Sequence, residues 1–363
     1  MPMVAGEGQN RGVKRTGPLI VLVLVLVVIG AVAGHLLGRR SEGGGGGGTE
    51  VSALIGSEKE RYFADPEVKK ALAKHGWKVR ADPAGSRQMP TRLPGYDFAF
   101  PASASAAEEI RRHGTPAGDN VAVFSSPLAV ATFTPIVDLL QSAKLASRDA
   151  AGVWRLDLKA LADANRRNLK WTDIPGNTTR PVAQNVLVAT TRPADSNSAA
   201  MFAVLLNQAT GGDLGAVAKL FTDQGAVDTT SEEPFEAYLR SGGNSAPMVL
   251  VYEAQFVDHA VNDGLGKGES LVYPAPTLVC QHTIVPLTQH GVEVAKLLAT
   301  DPELQKLAAK HGFRTADTGL TAPIFQGVRP GDAPLPTTFA GAVADPGYDT
   351  EHALLARLHE RMS

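Results

Sequence analysis

A single cysteine, Cys280, stands in a chain of 363 residues. That rules out an internal disulfide and a thiolate metal site, and within "PTLVCQHTIVPL" the residue reads as a small buried thiol. The nine histidines never fall at His-x-x-x-His spacing, so no metal motif and no cofactor are expected. Excess charge is missing too. The net charge is -2, with acids and bases interspersed, which leaves no electrostatic footprint for nucleic acid. Neither a Gly-x-Ser-x-Gly elbow nor a His-Glu-x-x-His pair occurs. "GLGKGES" (264 to 270) lacks P-loop spacing and reads as a glycine-rich loop between two strands. An enzyme is therefore not expected. Aromatics make up only 6% of the chain, and its three tryptophans, Trp77, Trp154 and Trp171, are expected at core edges; exposed, they would serve a protein contact.

Hydrophobic residues are plentiful, at 44% against 20% charged, enough for a globular protein of two lobes. Thr16 to Gly38 holds no Lys, Arg, Asp or Glu, and its centre is "LIVLVLVLVVIGAVA". A helix of that length spans roughly 30 Å, the hydrocarbon thickness of a bilayer. The expected arrangement is a short cytoplasmic segment over 1–17 and a transmembrane helix over 18–38, followed by a glycine-rich tether over 39–50. "AVA" before Gly34 keeps a cleaved signal open beside an uncleaved anchor. With no cysteine there, a lipid anchor is excluded. Either reading puts the body outside the cytoplasm.

From residue 51 strands alternate with helices, the pattern of an α/β fold with mainly parallel sheets flanked by helices. "VSALIG" (51–56) reads as a buried strand, and Ser57 and Glu60 stand at capping-box spacing. "DPEVKKALAKHGW" then has Asp65 as N-cap, Pro66 in the first turn and Gly76 as the stop. Further strands are expected in 96–103, 120–133, 185–191, 247–257 and 270–287. The helix at Asp65 returns as "DPELQKLAAKHGF" from Asp301, with eight identities over the 14 positions 65–78 and 301–314. Two copies do not make a solenoid. Shared helix chemistry accounts for them, with His75 and His311 as C-terminal helix residues favoured by the dipole.

In open α/β sheets ligands bind at the C-terminal strand ends, where the N–H groups of the next helix are exposed. Four junctions of that kind here carry small hydroxyl residues: "IGSE" (55–58), "PAGSR" (83–87), "FSSP" (124–127) and "DSNS" (195–198). For any one of Ser57, Ser196 and Ser198, helix capping is the simpler role. Four together suggest a site lined by hydroxyls and backbone amides.

The runs "ALIGSEKERYF", "PAGSR", "VFSSPLAVATF", "TTRPADSNSAAMF", "MVLVYEAQF" and the closing "LLATDPELQKLAAKHGFRTAD" together resemble the type 2 bacterial extracellular solute-binding proteins, over roughly 51 to 320. The resemblance implies a two-lobe periplasmic-binding-protein-like fold with a cleft closed by hinge motion. Lobe 1 would comprise 51–127 plus 247–363, and lobe 2 residues 128–246, with crossings near 125–135 and 247–257. By position it implies ligand contacts at Ser57, Ser86, Arg87, Ser125, Ser126, Ser196, Asn197, Ser198 and Tyr252. Arg87 is the residue of that set able to grip a carboxylate or oxyanion with two hydrogen bonds. The implied function is extracellular, membrane-tethered capture of a small polar or anionic solute for an ABC-type importer or a sensing system. A surface protein-interaction module on the same fold is the alternative. The membrane span, the Pro-rich stretch from 322 to 347 and the helix "DTEHALLARLHERMS" depart from the better-known members.

Overall fold

Both faces of "VSALIG" are covered, as an unbroken apolar run requires. Ala53 and Ile55 pack into one hydrophobic cluster and Leu54 into another on the opposite face. The computed structural model describes residues 48–225, 230, 232–244, 246–339 and 341–362. The expected cytoplasmic and membrane segments, and all of the tether up to residue 47, lie outside the described residues. Among the described residues no helix is long and apolar enough to cross a membrane.

The chain opens with β1 (Thr49–Gly56), so the first strand starts inside the stretch read as tether. A 3-10 turn (Ser57–Lys59) leads into α1 (Glu60–Ala64) and α2 (Pro66–Lys74). There follow β2 (Trp77–Ala84), β3 (Phe98–Phe100), α3 (Ala104–His113) and the long β4 (Val121–Phe133). Next come α4 (Thr134–Ser142), β5 (Ala146–Arg148), β6 (Trp154–Asp157), α5 (Leu158–Arg166), α6 (Asn197–Ala209), α7 (Leu214–Gln224) and α8 (Glu232–Ser241). The return begins with β7 (Val249–Tyr252) and α9 (Glu253–Asn262), then β8 (Glu269–Ala275) and β9 (Val279–Pro286). The chain ends with α10 (Gln289–Thr300), α11 (Pro302–Lys310), α12 (Thr318–Gly327) and α13 (Tyr348–Met362).

The strands join in the order β2-β1-β3-β9-β4-β8-β6-β5, with β7 also on β4. The expectation of mainly parallel sheets is corrected: the sheet is mixed. β1–β2, β1–β3 and β6–β8 are parallel, whereas β3–β9, β4–β7, β4–β8, β4–β9 and β5–β6 are antiparallel. Alternating helices and strands reveal element type but not strand direction, and the returning strands supply the antiparallel pairs.

β4 changes partner along its length. Val121 to Pro127 pair with β9, and Leu128 to Phe133 pair with β7 and β8. Pro127, which has no N–H to donate, sits at the changeover. The first half of the sheet is packed by Val51, Phe98, Phe124 and Leu298 on one face and Ala99, Ile110 and Val285 on the other. In the second half Leu128, Val130, Leu250 and Val272 face one cluster, while Ala129, Ala131, Val251 and Leu271 face its opposite. The segment 247–257 stays on the second half throughout its strand; the chain returns to the first between β8 and β9.

Three element assignments also change. Residues 185–191 form no strand and make only a bridge from Ala189 to Val249 and one from Asn185 to Lys170. The strand expected over 247–257 ends at Tyr252, because Ser126 Oγ accepts from Ala254 N at 3.0 Å and Gln255 Oε1 accepts from Tyr252 N at 2.9 Å, starting α9. "GLGKGES" lies between α9 and β8 and so joins a helix to a strand.

The repeated stretches, α2 and α11, pack against each other as a reciprocal pair. Lys74 binds Glu303 and Lys310 binds Glu67; His75 meets Asp301 at 3.0 Å and His311 meets Asp65 at 2.9 Å. Each acidic helix start thus contacts the basic end of the other copy, which makes the two helices antiparallel. Asp65 and Asp301 also cap their own helices, accepting from Glu67 N and Leu304 N. One short motif therefore supplies both sides of a self-complementary contact. His311 is further engaged than its helix-end position implies: buried, it lies between Asp65 and Asp258, 2.6 Å from the latter.

Candidate functional site

Six of the nine expected contact residues converge. Ser57, Ser86, Ser196, Asn197, Ser198 and Tyr252, with Glu58, Ala84 and Gly85, line a small pocket of about 10 Å³. Ser57 and Glu58 follow the C-terminal end of β1 and Ser86 the end of β2, both on the first half of the sheet. Ser196 to Ser198 open α6, and Tyr252 ends β7, both on the second half. The strand ends and helix starts meet where the sheet changes partners.

The serines are not spent on capping. The 3-10 turn after β1 has Gly56 as its N-cap and no side-chain capping bond, so the Ser57/Glu60 box does not form. Ser196 occupies the N-cap of α6 yet makes no capping bond. Its hydroxyl instead accepts from Thr191 Oγ1 at 2.6 Å and lies 2.9 Å from Ser198 Oγ. The first turn of this 13-residue helix therefore faces the pocket without its usual side-chain acceptor, leaving N–H groups suited to an oxygen-rich guest.

Asn197 joins the two halves. Its Oδ1 accepts from Ser103 Oγ at 2.7 Å, and its Nδ2 donates to Tyr252 OH at 3.0 Å. Ser103 also caps α3, accepting from Ala106 N at 3.1 Å, and Ser86 Oγ accepts from Ala102 N at 3.2 Å. Ser103 was not among the sequence candidates. Its only signal is the small-residue run "PASASAA" before a helix, which reads as ordinary capping.

Glu58, on the pocket wall, is buried together with Lys59 and His282. Burial by itself would raise the Glu58 carboxyl, but Lys59 and His282 outweigh it and bring the group to about 2. Burial and the neighbouring Lys59 charge push His282 down to about 4, leaving a neutral imidazole at physiological pH. Lys59 is lowered by burial against the pull of Glu58, and its ammonium lies 4.7 Å above the centre of the Phe100 ring. Burial holds Tyr252 well above the usual phenol value, so it remains a neutral hydroxyl. No arginine or lysine side chain lines the pocket.

Three expected contacts lie elsewhere. Arg87 turns from the pocket to Glu351 of α13, 2.6 Å away, and to Glu109 at 3.4 Å. The Ser125 N–H donates to Arg314 O at 2.8 Å, holding the tail to β4. Ser126 is fully buried, with its hydroxyl on the first turn of α9. Among the described residues no group of three His, Cys, Asp or Glu is placed to hold a metal ion.

No protein-family model and no curated protein sequence matches this chain. Solved structures do. The sulfate-binding protein SubI from Mycobacterium tuberculosis H37Rv superposes with a TM-score of 0.55 at 15% identity, over 84% of this chain and 98% of its own. A periplasmic thiamin binding protein gives 0.55 at 12% identity, over 87% and 97% respectively. The apo ferric ion-binding protein A of Pasteurella haemolytica gives 0.54 at 12%, over 86% and 97%. The mixed sheet with its partner-switching strand, flanked by helices on both faces, is thus the fold of the periplasmic solute-binding proteins.

Proposed function

We propose that this protein captures a small polar solute in the pocket between the two halves of its sheet, without chemical conversion. The observation that carries the reading is the convergence of Ser57, Ser86, Ser196, Asn197, Ser198 and Tyr252 from both halves around one small space. At about 10 Å³ the closed pocket has room for about one water molecule, so a solute enters only when the two halves part. Hydroxyls, an amide and a bare helix start offer hydrogen bonds, and Arg87 is engaged elsewhere. Glu58, held ionised beside Lys59, also lines the pocket, so the guest is a small polar solute met by hydrogen bonds rather than by a cationic side chain.

On this reading residues 49–127 with 279–317 form one lobe and 128–275 the other, hinged at Pro127/Leu128 and at 276–278, a division the partner switch in β4 supports. Structural neighbours named for sulfate, thiamin and ferric ion binding support solute capture. The apolar run of 16–38 supports a membrane tether with the body outside the cytoplasm, serving an ABC-type importer or a sensing system.

Thermal-shift screening of the full chain against sulfate, phosphate, molybdate, carboxylates, amino acids and sugars tests the reading. One class should raise the melting temperature, and the Ser196→Ala/Asn197→Ala double variant should lose most of that rise. No shift across the panel, with a protein partner recovered by pull-down, would support an interaction module instead.

A further inference from the structure

The C-terminal helix bridges the seam that holds the pocket. On its inner face Leu355 and Leu358 are buried in the hydrophobic cluster of the second half, with Leu161, Phe202 and Val217. Its first turns reach the first half. Arg112 of α3 holds Asp349 through two bonds, at 2.7 and 3.2 Å, and lies 4.2 Å over the Tyr348 ring. Glu351, 2% exposed, accepts from Arg87 at 2.6 Å. Burial raises the Glu351 carboxyl pKa, and Arg87 and a hydrogen bond from the Ser105 side chain oppose that rise.

Arg87 directly follows the pocket residue Ser86, and α3, which carries Arg112, begins at Ser103, the partner of Asn197. These contacts tie α13 to segments that adjoin the pocket: 84–86 line it, and Ser103 is bonded to Asn197 of its wall. On its outer side the helix borders an open groove lined by Asn207, Ala344, Leu354 and Arg357, so it is not enclosed all round.

We propose that α13 is a built-in clasp that holds the two halves together from outside the pocket, through Glu351 on Arg87 and Asp349 on Arg112. The inference rests on reading the seam as a cleft that opens. While Arg87–Glu351 and Arg112–Asp349 are intact, the walls at 84–87, 102–106 and 195–199 stay apposed; their release lets a solute enter.

Amide hydrogen exchange on the full chain, without any solute, tests the clasp separately from solute binding. Glu351→Ala should raise exchange in 84–87, 102–106 and 195–199 on the order of tenfold or more, with 51–55 and 270–273 unchanged. Glu351→Gln, which keeps an acceptor for Arg87, should give a smaller rise. Protected pocket walls in Glu351→Ala, or equal loss of protection in the core strands, would overturn the proposal and leave α13 as ordinary core. Should Glu351→Ala fail to fold, Asp349→Ala removes only the surface contact to Arg112. It should still speed exchange in 102–106 and 195–199 severalfold, and unchanged exchange there counts against the clasp. A chain that binds no solute in the thermal screen can still pass this test.

Discussion

Gly76 and Gly312 stop the two copies of the same helix, and both are left-handed, at φ +79° and +77°. Their surroundings differ. A Cβ at Gly76 would meet nothing, whereas one at Gly312 would lie 2.5 Å from the Ala254 carbonyl oxygen and 2.8 Å from Val257 Cβ. Gly76→Ala should therefore cost about 1 to 2 kcal/mol, the left-handed penalty alone. Gly312→Ala should add an overpacking penalty of about 1 to 3 kcal/mol against α9. Urea unfolding of the two variants measures the difference, and equal losses would contradict the close approach. "KHG" spells a helix stop in both copies, but which glycine is also pressed against a neighbouring helix is written nowhere near it. The same holds for the serines. Their residue type and place at strand ends pointed to the pocket, while the diversion of Ser126 to α9 and of Arg87 to Glu351 depends on residues more than a hundred positions away.

At the level of elements, the end of α9 and the start of β8 are held together by His259, which lies 3.0 Å from Glu269 and 3.3 Å from Asp263, with the Phe235 ring edge-on. The hydrogen bond to Glu269 raises the imidazole pKa, burial opposes it, and Asp263 adds to the rise. A histidine whose folded value lies above its unfolded value binds more protons when folded. Its stabilisation is complete below the unfolded value of about 6.5 and fades as pH climbs through the raised folded value. Wild type should therefore lose unfolding free energy relative to His259→Gln between pH 6 and pH 9; parallel profiles would contradict the coupling. The reciprocal α2–α11 pair belongs to this scale too. The repetition was plain in the sequence, but self-complementarity could be recognised only once the two helices were seen side by side, because identical residues say nothing about whether their carriers touch. Segment 185–191 shows the converse: its apolar run looks like a strand, yet it makes only isolated bridges, since strand identity requires a neighbour in register.

For the whole molecule, the proposed hinges at Pro127/Leu128 and 276–278 require a body that contracts when the proposed solute binds. Small-angle scattering with the solute identified by thermal shift should show a smaller radius of gyration, and saturating binding without contraction would argue for a pocket that fills without hinge motion. Replacing Phe124, buried where β4 meets Phe100, Phe313 and His282, by Ala should cost about 3 to 5 kcal/mol and lower the melting temperature.

What the sequence determined by itself was local: apolar runs buried on both faces, Asp-Pro starts and Gly stops of helices, and hydroxyl residues at the strand-to-helix turns. These follow from short-range backbone and side-chain chemistry. The tertiary structure alone decided strand direction, the place where the chain recrosses the sheet, the pairing of the duplicated helices and the loss of Arg87 to a helix at the other end of the chain. Each depends on contacts between distant segments, whose energies no local stretch of sequence contains.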